Sequence, residues 1–238
     1  MQKLLGLFLL IITSVPVMAS EKSVYEFSWL DQDKEVYVLQ NRKFRKVNSV
    51  YLGATFGKSL SGAFVDRYTG SLYGGYFFSE NWGIELSYNK SSNTKNATHD
   101  AVNKAGAVAF YRQIDTDMSA HIVWSPFYSK INTFNKIVYY DWLFGAGISS
   151  ITTLDNRNEF KDESDSQHNV LTSESGIAYS WFTGFRFFIT ENWSSRVDFR
   201  GFHSNADRAI DSDVANQFDI KKSWFHYYDF RLGINYSF

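Results

Sequence analysis

The stretch from Ser223 to Phe238 reads SWFHYYDFRLGINYSF and constrains the fold more than any other. From Tyr228 onward, Tyr228, Phe230, Leu232, Ile234, Tyr236 and Phe238 alternate with Asp229, Arg231, Gly233, Asn235 and Ser237. A strict period of two is a β-strand with one apolar and one polar face. The charged pair Asp229 and Arg231 sits mid-strand on the polar face, with Gly233 beside it. A long amphipathic strand closing on an aromatic residue suits the last stave of a transmembrane β-barrel. In that reading Tyr228, Phe230, Leu232, Gly233, Tyr236 and Phe238 form the signal that barrel-assembly machinery would read.

The opposite end of the chain points the same way. A short basic start (Met1 to Lys3), an apolar core (Leu4 to Ile12) and small residues at Val17-Met18-Ala19 have the layout of a secretory signal peptide cut after Ala19. The apolar run falls well short of the roughly 20 residues a membrane-spanning helix needs. A mean hydropathy of −0.30 excludes a bundle of such helices, but barrel strands hide their apolar face in alternation. The chain carries 22 Phe, 15 Tyr and 7 Trp against 2 Pro, a balance that favours strands. With no cysteine, a disulfide framework, a thiolate metal site and cysteine lipidation are all excluded. The 24 basic and 25 acidic residues nearly cancel, so nothing draws the chain to nucleic acid.

Three segments follow: the signal peptide 1–19, a lead-in 20–47 and a barrel 48–238. The lead-in is charged and irregular. Lys34 to Gln40 could be a short strand, and strand pairing, a plug or an unstructured lead-in are all open to this segment; a partly ordered periplasmic lead-in is the preferred reading. Strands are expected at Asn48–Lys58, Thr69–Phe78, Trp82–Ser91, Met118–Tyr128, Lys136–Ser150, Ser175–Ile189, Trp193–Ser204 and Ser223–Phe238. A short helix is expected within Ala101–Gln113, a turn at Lys130–Asn135, and Pro126 near a strand end. The hairpin Tyr76-Phe77-Phe78-Ser79-Glu80-Asn81-Trp82 recurs as Phe187-Phe188-Ile189-Thr190-Glu191-Asn192-Trp193. Aromatics flanking such turns fit a girdle at a membrane interface. Odd-numbered connections are longer and polar while even-numbered ones are short, as in outer-membrane barrels with external loops and periplasmic turns. The expected fold is all-β: an eight-stranded antiparallel transmembrane β-barrel behind a signal peptide.

Parity assigns the charges. Glu85, Asp141, Asp198 and Asp229, with Arg186, Arg196, Arg200 and Arg231, fall on the face opposite the aromatic stripe. That face must be the lumen, since an Arg or Lys facing lipid at mid-membrane costs about 2–4 kcal/mol. An eight-stranded barrel has room inside only for side chains, so a plugged core of Arg–carboxylate pairs is expected rather than a water-filled pore. His121 also points inward. His203-Ser204, with Asp207 nearby, invites a hydrolase reading, but adjacency in sequence says nothing about geometry. His99-Asp100 and Asp162-Glu163-Ser164-Asp165 could hold a cation, although a solvated loop accounts for them. No phosphate loop, HExxH, EF-hand or zinc spacing is present, so no catalytic residue, cofactor or metal is expected.

Three stretches resemble a known family: KEVYVLQNRKFRK from Lys34 to Lys46, YFFSENWGIELSY from Tyr76 to Tyr88, and WSPFYSKINTFNKIVYYDWLFGAG from Trp124 to Gly147. Together they resemble the outer-membrane β-barrel domain family of myxobacteria and predatory bdellovibrios, over about Lys34 to Phe238. The resemblance implies fold and location and carries over no active-site residue. In shape the chain is similar to small barrels such as the membrane domain of OmpA and OmpX. The expected protein is a monomeric, non-enzymatic, porin-like barrel of a Gram-negative outer membrane. It contacts lipid and has a structural or surface-interaction role, its external loops meeting the environment, another cell or surface polysaccharide through an unidentified extracellular ligand. A narrow channel for ions or small solutes, a membrane-embedded lipid hydrolase or acyltransferase, and a secreted lipocalin-like carrier are the alternatives.

Overall fold

The computed structural model describes residues 42–134, 136–160, 170–207 and 222–238. The expected signal peptide, the segment Lys34 to Gln40 and the acidic run from Asp162 lie outside the described residues. All described residues belong to one unit, Arg42–Phe238.

Eight antiparallel strands close on themselves: β1 (Ser49–Ser59), β2 (Val65–Phe77), β3 (Trp82–Lys95), β4 (Arg112–Thr133), β5 (Lys136–Asp155), β6 (Thr172–Phe188), β7 (Trp193–Asp207) and β8 (Lys222–Ser237). Each strand pairs with its sequence neighbour. The ring shuts between β1 and β8, from Tyr51 opposite Ser237 to Ser59 opposite Asp229. The short connections lie at one end (the turn end) and the longer ones at the other (the loop end).

The repeated hairpin sequence makes the same turn twice. Ser79 N donates to the Trp82 carbonyl at 3.2 Å, and the Ser79 hydroxyl accepts from Trp82 N at 3.0 Å. Thr190 N donates to the Trp193 carbonyl at 3.0 Å, and Thr190 Oγ1 accepts from Trp193 N at 3.0 Å. A hydroxyl followed two residues later by Asn and then Trp therefore sets a turn that delivers the Trp to the outer face.

Several strands run further than the sequence suggests. β2 starts at Val65 rather than Thr69, β3 continues to Lys95, β4 spans Arg112–Thr133 rather than Met118–Tyr128, and β5 extends to Asp155. Beyond the apolar band the outer face meets water and no longer needs apolar residues. The alternation fades while the backbone ladder continues. The expected turn Lys130–Asn135 is accordingly mostly ladder, with Thr133 opposite Lys136. Pro126 sits inside β4, in the register shift between Trp124 and Phe127. A bulge leaves the residue that cannot donate outside the ladder. The helix α1 is Ala97–Lys104, earlier than expected. Asn96 starts it by accepting from Thr98 N and His99 N at 3.1 Å each. Gly106, at φ +79°, follows its end.

The outer face carries the apolar residues. Leu72 is 66 % and Ile177 74 % exposed, in company with Leu52, Leu86, Met118, Ile122, Ile148 and Leu232. Aromatic pairs edge this band at both ends. Trp82–Trp124, Trp142–Phe185 and Trp193–Tyr236 sit at the turn end (6.0, 5.3 and 5.1 Å between rings). Phe56–Tyr68 and Tyr179–Trp224 sit toward the loop end (6.0 and 6.2 Å). Among the described residues no helix is long and apolar enough to cross a membrane.

Gly147 shows how tightly the wall is built. A Cβ there would lie 1.9 Å from the Ala120 carbonyl oxygen, a backbone atom that no rotamer change can move. Gly70, on the outer face of β2, would meet nothing within 4 Å. Gly147→Val is therefore expected to lower stability by about 2 kcal/mol or more, read as a lower urea midpoint for refolded protein in detergent. Gly70→Val is expected to match wild type in the same titration.

Candidate functional site

The interior is a continuous stack of charged and aromatic side chains. At the turn end the segment Arg42–Val47 crosses the opening as a strap. Phe44 is buried, stacked on Phe188 at 4.7 Å and edge-on to Tyr139 at 5.4 Å. Glu80 holds the strap by accepting from Arg42 NH1 and Lys46 N, both at 3.3 Å. Asn48, at φ 57°, then turns the chain into β1. The Lys46 side chain runs inward and donates to Ser125 Oγ at 2.6 Å, with Asp141 Oδ2 at 3.1 Å. Arg186 reaches the same Asp141 oxygen at 2.5 Å. Burial pulls the Lys46 ammonium down to about 8, partly opposed by the Asp141 charge.

At mid-height Glu85 is the hub. It accepts from Tyr51 Oη at 3.0 Å, Arg196 NH1 at 2.5 Å and Arg200 NH2 at 2.9 Å. Arg196 Nε donates to Asp198 Oδ1 at 2.7 Å, and Arg200 NH2 to Asp198 Oδ2 at 3.2 Å. Both guanidiniums lie over the Phe182 ring, at 4.6 and 4.8 Å from its centre. Glu85 and Asp198 are fully buried, Arg196 and Arg200 nearly so. Tyr51, Tyr73, Phe77, Val123, Leu143 and Phe182 pack as one apolar cluster around this network.

Toward the loop end Asp229 accepts from Arg231 NH2 at 2.8 Å and from Arg67 NH2. Arg231 NH1 also donates to Asn89 Oδ1 at 2.6 Å and Ser71 Oγ at 2.8 Å. Asn89 in turn donates to Asp117 at 2.5 Å. At the rim Arg112 and Arg157 both pair with Asp155 and Glu174, at 2.6–2.9 Å.

The structure thus places Glu85, Asp141, Arg186, Arg196, Asp198, Arg200, Asp229 and Arg231 inside the barrel. They fall into three linked groups rather than one. Sequence parity misses Arg67, Arg112, Asp117 and Asp155, which lie in stretches read as connections. Arg67 has the same parity as Ser71 and Tyr73, so carrying the β2 alternation back to Val65 would have found it. Lys46 belongs to no strand and has no periodic signal.

No hydrolytic constellation forms at His203-Ser204. The two side chains lie on opposite faces of β7: Ser204 is buried inside, while His203 accepts from Trp181 Nε1 at 2.9 Å and meets His226 Nδ1 at 2.7 Å. The side chain of Asp207 lies outside the described residues. His121 Nε2 is 2.9 Å from Ser180 Oγ within the lumen, but among the described residues its Nδ1 has no hydrogen-bond partner and no carboxylate orients the ring. Among the described residues no three His, Cys, Asp or Glu side chains could hold a metal. His99 is buried edge-on to Tyr111 at 5.8 Å.

Residues 36–238 match the model of a family described as the outer membrane protein beta-barrel domain. The chain belongs to this family. It is an integral outer-membrane protein whose apolar band faces lipid. Its fold is similar to that of the N-terminal β-barrel domain of Pseudomonas aeruginosa OprF (14 % identity, 81 % of this chain and 98 % of that one, TM-score 0.46). It is likewise similar to P. aeruginosa OprG (12 %, 82 % and 98 %, 0.43) and to Ail, the attachment invasion locus protein of Yersinia pestis (14 %, 81 % and 99 %, 0.39). No curated protein matches the chain.

Two outcomes follow for this barrel. Glu85→Gln leaves Arg196 and Arg200 sharing one carboxylate in a dry interior. It is expected to cost about 3–5 kcal/mol by urea unfolding, whereas Lys58→Ala, at the half-exposed Lys58–Asp66 pair, leaves the midpoint unchanged. Lys46 titrates in the folded protein near 8, below its free value of 10.5. The folded strap therefore binds that proton less tightly than the unfolded chain does. Docking gains stability as pH rises from about 8 to 10.5 and is insensitive to this group below that window. An NMR titration of methylated Lys46 with a midpoint near 10.5 would contradict this.

Proposed function

We propose that this outer-membrane barrel is closed to solutes and acts at the cell surface through its loop end, with no enzymatic role. The observation that carries the reading is the Glu85–Arg196–Asp198–Arg200 network. It spans the lumen at mid-height with side chains at most 1 % exposed. The interior of an eight-stranded barrel is just wide enough for side chains to fill it. Part of the rim is held by side-chain hydrogen bonds. Asn156 donates to the Ala109 carbonyl at 2.8 Å and accepts from Tyr111 N at 2.9 Å, tying the β3–β4 connection to the end of β5.

Three finer readings accompany this one. The stretches Lys34–Lys46, Tyr76–Tyr88 and Trp124–Gly147 support a place in the branch of the family found in myxobacteria and bdellovibrios. Tyr228, Phe230, Leu232, Gly233 and Tyr236 on β8, with Phe238 just after it, are the signal that the assembly machinery recognises. The barrel works as a monomer, with the strap Arg42–Val47 on the periplasmic side.

Planar-bilayer recording tests the closed lumen. Wild-type protein is expected to insert without steady conductance. A steady ohmic current that changes in Arg200→Ala or Arg231→Ala would overturn the reading and make the lumen a conduction path.

A further inference from the structure

A cavity of about 190 Å³ opens at the loop end, between the β1–β2 connection, the end of the β3–β4 connection and the start of β8. This is below the roughly 300–1,000 Å³ usual for drug-sized ligands, so its occupant is small. Phe64, Tyr111 and Phe225 contribute aromatic walls, and Gly62 and Ala63 on its rim are exposed. Two polar residues that line it, Arg67 and Tyr227, are 4 % and 6 % exposed.

The polar lining also includes Ser61, Arg112 and Gln113. Neither Arg67 nor Tyr227 is fully satisfied. Among the described residues, the Tyr227 hydroxyl and the Arg67 Nε–H are buried with no hydrogen-bond partner. Such groups cost roughly 1–3 kcal/mol each when left unmade. The two residues are neighbours, with the Arg67 guanidinium 5.6 Å from the centre of the Tyr227 ring. Arg67 also shares its carboxylate partner. Arg67 donates NH2 to Asp229, but that carboxylate is shared with Arg231. Asn89 stands between Arg231 and the next carboxylate, Asp117. The cavity is therefore lined by two residues with unused donors, one of them a cation that shares its carboxylate partner, and by aromatic walls.

We propose that this cavity is a binding site for a small aromatic carboxylate. The carboxylate would accept from Tyr227 Oη–H and Arg67 Nε–H, and the ring would pack among Phe64, Tyr111 and Phe225. An inorganic anion would meet the same donors but lose its hydration against those walls without compensation. A neutral arene would fill the walls and leave the cation as it is. The site goes beyond the closed-barrel reading and holds whether or not the lumen conducts.

Calorimetric titration of the intact barrel in detergent micelles tests the proposal, with benzoate as the probe and acetate and benzyl alcohol as the charge-only and ring-only controls. Benzoate is expected to bind saturably at one site, with each control at least about tenfold weaker. Tyr227→Phe removes a hydroxyl that bonds to nothing among the described residues. It should leave the urea midpoint no lower than wild type and weaken benzoate about tenfold, the loss of one hydrogen bond to a charged group. Ala63→Trp, at an exposed rim position, should abolish binding by filling the mouth. Absence of saturable binding up to about 10 mM benzoate, equal binding of either control, or unaltered affinity in both variants would overturn the assignment.

Discussion

In the hydrocarbon core of a membrane an unpaired backbone N–H or C=O costs several kcal/mol, and this constraint brings β1 to β8. A sheet of eight amphipathic strands with open edges would expose two rows of such groups. The ladder from Tyr51–Ser237 to Ser59–Asp229 removes both at once. Once the ring is shut, every strand has an inside and an outside. The apolar residues on even positions of β8 must face lipid, so Asp229 and Arg231 face the lumen, where both are buried and pair with one another.

That space is filled by complementarity between very large and very small residues. A Cβ on Gly145 would lie 2.1 Å from the Phe182 ring, and one on Gly184 2.2 Å from Asp198 Oδ1. The glycines thus mark where a neighbouring strand sends a ring or a charged group across the lumen. Buried ion networks are costly to desolvate and are a poor source of net stability. Their structural effect here is on register. A one-residue slip of β8 would move Arg231 into lipid and Phe230 into the charged interior, so the pairing frame admits no near neighbour.

The strands crossing the apolar band were legible because contrast between their two faces is high there. Trp82, Ile84, Leu86 and Tyr88 against Gly83, Glu85, Ser87 and Asn89 leave no doubt about which way Glu85 points. Outside the band both faces of a strand touch water or polar side chains, and the period-two signal disappears although the ladder does not. That is why Arg67, Arg112, Asp117 and Asp155 looked like loop residues. Lys46 was hidden for a different reason. Its inward course depends on tertiary contacts with Ser125, Glu80 and Asp141, and no local pattern encodes them. Pro126 misled because a proline ordinarily ends a ladder, and only the opposing strand reveals the bulge that lets β4 continue.

Glu85 on β3 meets Arg196 and Arg200 on β7, across 111 and 115 residues of chain, and Asn89 on β3 waits for Arg231 on β8. A barrel missing its last two strands would hold a carboxylate in the membrane with its counter-charges still outside. Insertion of the chain piece by piece is therefore electrostatically uphill until the final hairpin arrives, and then becomes downhill in a single step. The interior acts as a completeness check: a truncated product cannot settle in the bilayer as a stable half-barrel, and is left in a state that proteolysis can remove.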